Sequence, residues 1–400
     1  MSSQKPKFKP QIAQFFSRTF FSSEDHEVAP RSDDSRRRDS MPPETRTEPS
    51  NPTPERSSSV PSSVEGSSRE EARAGKFAKI ISENVASLET LRSLSWNGIP
   101  AAQRATVWKL LLGYLTANRA QREEALSRKR REYISSIPQF MDPEKSESEK
   151  LTMHQIEIDL PRTAPNIPLF GHPKIKNLMK RLLYIWAMLH PASGYVQGLN
   201  DILTPIICVF LSEYTPVFDD RGEFLPESPN IDSLNDGQFE FLEADSYWCF
   251  TKLLDSIQDN YTSNQPGIVR ALDKLQELVR TIDQQLDKHI ADERMMYVEF
   301  TFRWINCLML RDLSLPLVIR LWDTYLSEPN GEGFSVLHVY TCAALLLKYA
   351  PDVKRRRMPE LMLFLQHLPT ESWTFADLET VISQAYVYRT LYQNSHRLKQ

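Results

Sequence analysis

Glycine is scarce, with 12 residues in 400, and strand-like alternation is nearly absent. Together these argue against a turn-rich β fold. No Gly-rich phosphate loop occurs, which excludes a P-loop nucleotide enzyme. There is no HExxH pattern and no CxxC pair, so no metal site is expected. Cysteine is limited to Cys208, Cys249, Cys307 and Cys342, each inside an apolar segment. Their spacing suits neither a metal nor a redox pair, so buried, reduced thiols in a cytoplasmic protein are expected. The most apolar run, ILTPIICVFL at 202–211, is short of the roughly 20 residues that span a bilayer. It follows Gln197, Asn200 and Asp201, which suits a buried helix, so any membrane contact is expected to be peripheral. The opening MSSQKPKFKPQIAQFF has neither the apolar core nor the cleavage site of a secretion signal. A net charge of −4 gives no argument for a nucleic-acid partner. No nucleophile elbow appears, and no serine or cysteine stands in a local base pattern. The chain therefore lacks the parts to run a small-molecule reaction alone.

What is present is a tail and a long helical body. Residues 1–72 are rich in Ser, Pro, Glu and Arg and are expected to be disordered, because they cannot bury enough apolar surface to offset chain entropy. Phe15, Phe16, Phe20 and Phe21 lie among basic residues and read as a weakly sticky tail. From residue 74 the texture changes. Phe77, Ile80, Ile81, Val85, Leu88 and Leu91 recur at helical spacing. The turn GIP at 98–100 places a proline at a first helical position. Further helices are predicted near 119–136, from Pro173, and over 239–260, 266–290, 295–310, 314–326, 333–349, 351–367 and 374–392. No fixed period repeats, which weakens a helical-repeat solenoid or adaptor. The expectation is one irregular all-α domain over 75–400, interrupted by a polar insertion at 215–238.

Three stretches place polar residues in apolar or constrained surroundings. In GIPAAQRATVWKLL, Arg104 and Trp108 stand at i and i+4 and are neighbours on a helix face. A guanidinium can stack on an indole, but the preferred reading is structural, with Arg104 tying this helix to another part of the fold. In IEIDLPRTAP, Ile156 and Asp159 lead to Arg162, which stands between Pro161 and Pro165. Restricted backbone on both sides suits an arginine that projects from a stiff loop. A pairing with Asp159 at the helix end accounts for the spacing equally well. In YVQGLND, Tyr195, Gln197, Gly198, Asn200 and Asp201 open an apolar helix. Burying an amide without partners costs about 1–3 kcal/mol. These amides either satisfy one another or have a further role, and periodicity does not separate the two.

Taken together, the three stretches resemble the TBC family of Rab GTPase-activating proteins. Arg104 and Trp108 match its Arg-x-x-x-Trp signature after Gly-Ile-Pro. Ile156, Asp159 and Arg162 match Ile-x-x-Asp-x-x-Arg, and Tyr195, Gln197 and Gly198 match Tyr-x-Gln-Gly. EADSYWCF from 243, FRWINCLMLRDL from 302 and IRLWDTYLSE from 319 are similar to the Golgi-associated, Gyp-type branch. The resemblance implies a TBC-type fold and an activator of GTP hydrolysis in a partner Rab, with no turnover of its own. It implies Arg162 as an arginine finger and Gln197 as the residue that orients the attacking water. Asp159 and Tyr195 would then position these two, while Arg104 and Trp108 would serve as scaffold. Asn200 and Asp201 would support the site. GTP and magnesium would be carried by the partner, and the protein would work in the cytoplasm at Golgi or endomembranes. The competing reading is a Rab-binding or adaptor scaffold without catalysis.

The tail adds one pattern. In RRRDSMP, Arg37 lies three residues before Ser40 and Pro42 two after it, which resembles a 14-3-3 docking site. Phosphorylation of Ser40 would add about two negative charges beside a basic run.

Overall fold

The computed structural model describes residues 63–393, apart from 143, 220–222 and 226–228. Ser40, the phenylalanines at 15–21 and most of the tail lie outside the described residues. Among the described residues there are seventeen α-helices and no strand, with isolated bridges only at Val85–Asn118 and Phe218–Phe224. The chain divides into two compact units, Met1–Glu70 and Glu71–Gln400, and everything below concerns the second unless stated.

The first helix, α1, spans Ser63–Ser82 and so starts inside the stretch expected to be disordered. The run REEARA supplies good helix formers although it is polar. The apolar spacing from Phe77 to Leu91 predicted one helix. The chain instead breaks at 83–87 and restarts as α2, Leu88–Ser95, where the Ser87 side chain accepts from the Thr90 N–H. Val85 falls in the break and is exposed. Pro100 immediately precedes α3, Ala101–Leu111, and the charged helix α4 is Arg122–Phe140. A capping box opens α5, Glu147–Asp159: the Ser146 hydroxyl accepts from the Glu149 N–H while the Glu149 carboxylate accepts from the Ser146 N–H. Then come the short α6, Pro168–Gly171, and α7, Pro173–Leu189. All thirteen residues of α8, Leu199–Leu211, are buried.

A second capping box, from Asn235 and Gln238, starts α9, Asp236–Asp255. The pattern predicted as one helix over 266–290 divides into α10, Pro266–Ile282, and α11, Gln284–Asp292. Asp283 leaves helical geometry there and its side chain caps α11. Next are α12, Val298–Asn306, and the fully buried α13, Leu315–Ser327. A π-helical turn, Gly333–Leu337, leads into α14, His338–Lys348. The pattern at 351–367 also divides, into α15, Ala350–Arg355, and α16, Glu360–Gln366, with Arg356 turning extended at ψ 153° to end the first of them. The last helix, α17, is Phe375–Tyr392.

Helices α8 and α13 run through the core, with α9 packed on α8 and α17 packed on α14. Buried charge ties the layers together. Asp245 on α9 accepts from the Lys109 Nζ, the Tyr114 hydroxyl and the Arg130 guanidinium, each at 2.7 Å. Burial opposes ionisation of Asp245, but Arg130 and Lys109 outweigh it and hold its carboxyl below the ordinary range. Glu243 likewise accepts from Tyr133 at 2.7 Å and from the Arg181 Nε at 2.6 Å. The insertion at 215–238 is seated on the domain where it is described. Val217, Ile231 and Leu234 are buried, and the Leu225 N–H donates to the Val217 carbonyl at 3.1 Å. All four cysteines are free and buried.

Candidate functional site

The site is assembled where α5 ends. A 3-10 turn, Leu160–Arg162, follows Asp159 and contains Pro161. The Thr163 N–H donates to the Leu160 carbonyl, and the Thr163 hydroxyl donates to the Asp159 carbonyl, both at 3.1 Å. Ala164 is held at φ +40°, and the Ile167 N–H donates back to its carbonyl at 2.9 Å. The backbone is thus restrained on both sides of Arg162, whose side chain is 59 % exposed. Arg162 donates from Nη2 to Asp159 Oδ1 at 2.5 Å. Projection from a stiff loop and pairing with Asp159 therefore coexist. A guanidinium has five N–H donors, so one contact leaves most of them to face outward.

Asp159 is 1 % exposed and is the hub of the arrangement. Its Oδ2 accepts from the Tyr195 hydroxyl at 2.8 Å, and Gln197 Nε2 lies 3.5 Å from its Oδ1. Burial, and then the Asp159 charge, push the Tyr195 hydroxyl far above its usual range, so it remains a donor. Arg162, Tyr195 and Gln197 are therefore gathered on one buried carboxylate. Ile156, one turn back on α5, is fully buried and packs inward.

Gly198 has φ +106°, and a Cβ there would lie 2.6 Å from Asn306 Nδ2. Gly198→Ala is expected to cost about 1–3 kcal/mol of stability through backbone strain, with the clash adding to it; chemical denaturation checks this. Asn200 resolves the question left open for the amides. Its Oδ1 accepts from the Gly198 N–H at 3.0 Å, and its Nδ2 donates to the Thr163 hydroxyl at 2.8 Å. Asn200 thus joins the Arg162 loop to the start of α8, whereas among the described residues the Gln197 side-chain amide has only the long contact to Asp159. Asp201 pairs with Arg311 at 2.8 Å. Burial raises the Asp201 carboxyl, and Arg311 opposes that rise.

Sequence reasoning missed Thr163, Asn306, Cys307 and Arg311. The signal for the last three was polar residues inside the apolar run FRWINCLMLRDL. Arg104 and Trp108 converge on a second carboxylate, Asp323, as the expected tie to another part of the fold. Arg104 Nε lies 3.2 Å and Trp108 Nε1 2.7 Å from its carboxylate oxygens, and the Ile99 N–H donates at 2.9 Å. Trp108 stacks on Trp322, with ring centroids 6.1 Å apart. No helix among the described residues is long and apolar enough to cross a membrane.

Comparison with known proteins places the chain in a family. A family model for the Rab-GTPase-TBC domain matches residues 101–354. Over 326 residues the chain is 42 % identical to the GTPase-activating protein gyp1 of Schizosaccharomyces pombe, covering 81 % of this chain and 62 % of that protein. Over 328 residues it is 44 % identical to TBC1 domain family member 22B of Homo sapiens, covering 82 % and 63 %. The chain thus spans less than two thirds of the length of these curated relatives. The crystal structure of the Ypt/Rab-GAP domain of Gyp1p matches with a TM-score of 0.75 at 42 % identity, over 81 % of this chain and 99 % of that one. With the family model spanning more than half of its residues, this chain belongs to the Rab-GTPase-TBC domain family, and its body is a single all-α domain of the TBC type.

Proposed function

We propose that this protein accelerates GTP hydrolysis by a Rab GTPase, with Arg162 and Gln197 supplied in trans to the partner's nucleotide site. One observation carries the reading. Arg162 and Gln197 are 35 positions apart, yet both reach the same buried carboxylate, Asp159, and neither is buried itself. Phosphoryl transfer spreads negative charge over the transferred group, and fixed positive donors that meet it lower the barrier. Arg162 is the donor for that charge. Gln197, with an amide that both donates and accepts, orients the attacking water. Asp159 and Tyr195 hold the two in place, and Asn200 and Asp201 hold the loop that bears Gln197. GTP and magnesium belong to the partner, and this chain contributes no cofactor.

The Schizosaccharomyces pombe relative is named as a GTPase-activating protein, and the Gyp1p structure is that of a Ypt/Rab-GAP domain, which supports the reaction class. The Gyp-type resemblance favours a Golgi Rab and a role in vesicle traffic, with this protein peripheral at endomembranes from the cytoplasmic side. Phosphorylated Ser40 would serve as a 14-3-3 site that alters location or access. Equal 14-3-3 capture by wild type and Ser40→Ala would remove that idea.

The deciding experiment is single-turnover GTP hydrolysis by a panel of Rab GTPases. Wild type is expected to accelerate one or a few of them, and Gln197→Ala to lose about 10²-fold or more of that acceleration. If no Rab is accelerated while binding is intact, the protein is a scaffold and Arg162 serves only as an ion-pair partner of Asp159.

A further inference from the structure

We propose that the turn from Asn306 to Arg311, buried as far as Met309, is a positioning element for Gln197, acting through the hydrogen bond from the Asn306 side chain to the Gln197 carbonyl; the inference rests on the function proposed above. Asn306 Nδ2 lies 3.0 Å from that carbonyl, across 109 positions of sequence. Asn306 ends α12 and is 3 % exposed, and its own carbonyl accepts from the buried Tyr261 hydroxyl at 2.9 Å. The amide is therefore anchored to the core rather than to a mobile surface.

The placement does not serve stability alone. Asn306 Oδ1 is buried without a hydrogen-bond partner. A buried polar atom left unpaired is a cost that an apolar side chain at the same place would not carry. Positions where local rules fail in this way are expected at functional sites. Gly198 shows how close the fit is. A Cβ there would come within 2.6 Å of Asn306 Nδ2 and 3.1 Å of Cys307 Sγ, so the missing side chain is what lets the amide reach Gln197.

The turn itself is strained. Leu308 and Met309 have φ +49° and +69° and are fully buried. Successive apolar residues in the left-handed region persist only where the surroundings over-determine them, and such strain gathers at active sites. The reversal returns the chain to the site. Arg311 Nε donates to Asp201 Oδ2 at 2.8 Å, and Cys307 Sγ lies 3.7 Å from the same oxygen. Burial, and then the Asp201 charge, push the Cys307 thiol up to about 12, which keeps it a donor. One turn thus grips the segment 197–201 at both ends, by the carbonyl of Gln197 and the carboxylate of Asp201. Among the described residues, the Gln197 side chain otherwise has only its 3.5 Å contact with Asp159. The carbonyl anchor therefore sets where that side chain reaches. A misplacement of about 1 Å can cost 10²-fold in rate.

The test is single-turnover GTP hydrolysis with the Rab that wild type accelerates best, using Asn306→Ala alone and in a Gln197→Ala background. Affinity for the GTP-bound Rab is measured in parallel. The expected result is a rate loss of about 10²-fold in the single variant, with unchanged affinity, and no further loss in the Gln197→Ala background. Equal losses in both backgrounds, or a loss that follows weakened binding, would mean a structural role and overturn the proposal. If Asn306→Ala does not fold, Asn306→Leu, which is close in size and has no donor, is read the same way. A wild-type protein that accelerates no Rab overturns the function proposed above. A wild type that accelerates, with Asn306→Ala just as fast, overturns only this inference.

Discussion

Arg162→Ala is expected to lower the accelerated rate of GTP hydrolysis by about 10³–10⁵-fold, the range an arginine supplied in trans contributes to phosphoryl transfer. Affinity for the GTP-bound partner should change little, because the guanidinium acts mainly on charge that develops during reaction. The loop geometry explains why one side chain has so large an effect. Pro161, the Thr163 hydrogen bonds and the left-handed Ala164 fix the backbone on both sides of Arg162. The entropy of placing a long side chain is thereby reduced before the partner arrives. Asp159 holds one edge of the guanidinium through Nη2, and the remaining donors face outward. Arg162→Lys should recover little, since an ammonium is a point charge and cannot bridge two phosphate oxygens as the planar fork does. Asp159→Asn should give an intermediate loss, because it weakens the hold on Arg162 without removing the charge. Arg162→Ala should also cost some stability, because it removes the ion-pair partner of the buried Asp159 carboxylate, which keeps its contacts with Tyr195 and Gln197. Single-turnover hydrolysis with parallel thermal melts checks all three variants. A loss below about tenfold in Arg162→Ala would be too small for a transition-state donor and would sink the finger assignment.

The sequence showed the helical class and the residues of the site, but not what joins them. Low glycine and a persistent 3.6-residue period were enough to predict an all-α body. The same period ran unbroken across 83–87, Asp283 and the segment before Pro359, where the chain leaves the helix. Periodicity records which residues face the core, and two helices on either side of a break can face the same core. Arg162 and Gln197 were legible because unusual side chains sit in constrained places, between prolines and before an apolar helix. Their gathering on Asp159 was not, since Tyr195 and Gln197 reach it across 36 and 38 positions. Asn306 was harder still, being a single amide at the end of an ordinary amphipathic helix. Arg104 and Trp108 illustrate the limit well. Their i, i+4 spacing allowed a stacked pair, but the preferred reading was a tie to another part of the fold; that tie is to a carboxylate more than 200 positions away, which no local pattern marks.

That carboxylate carries a large expected stability effect. Asp323→Ala should destabilise the protein by about 3–5 kcal/mol, the cost of leaving a buried charge without its partner. Asp323 is fully buried and accepts from the Ile99 N–H, the Arg104 guanidinium and the Trp108 indole N–H. Its loss strands one charge and two neutral donors at once, all in the interior. Through these contacts α13 is fastened to α3 and to the turn before it. The pair itself need not be stabilising in net terms, because both charges lost their hydration on folding. Replacing both partners with apolar groups, as in Arg104→Met with Asp323→Leu, should therefore recover much of what Asp323→Ala loses. Urea unfolding of wild type, the single variant and the double variant measures this. A double variant no more stable than the single one would show that the Ile99 and Trp108 donors, and not the stranded charge, dominate. The single-turnover rate supplies the second half of the argument. Per folded molecule it should match wild type in Asp323→Ala, since Asp323 bonds to Ile99, Arg104 and Trp108, whereas Arg162 and Gln197 are held by Asp159. A loss of rate larger than the loss of folded protein would place the Asp323 cluster in the same mechanical unit as the catalytic loops.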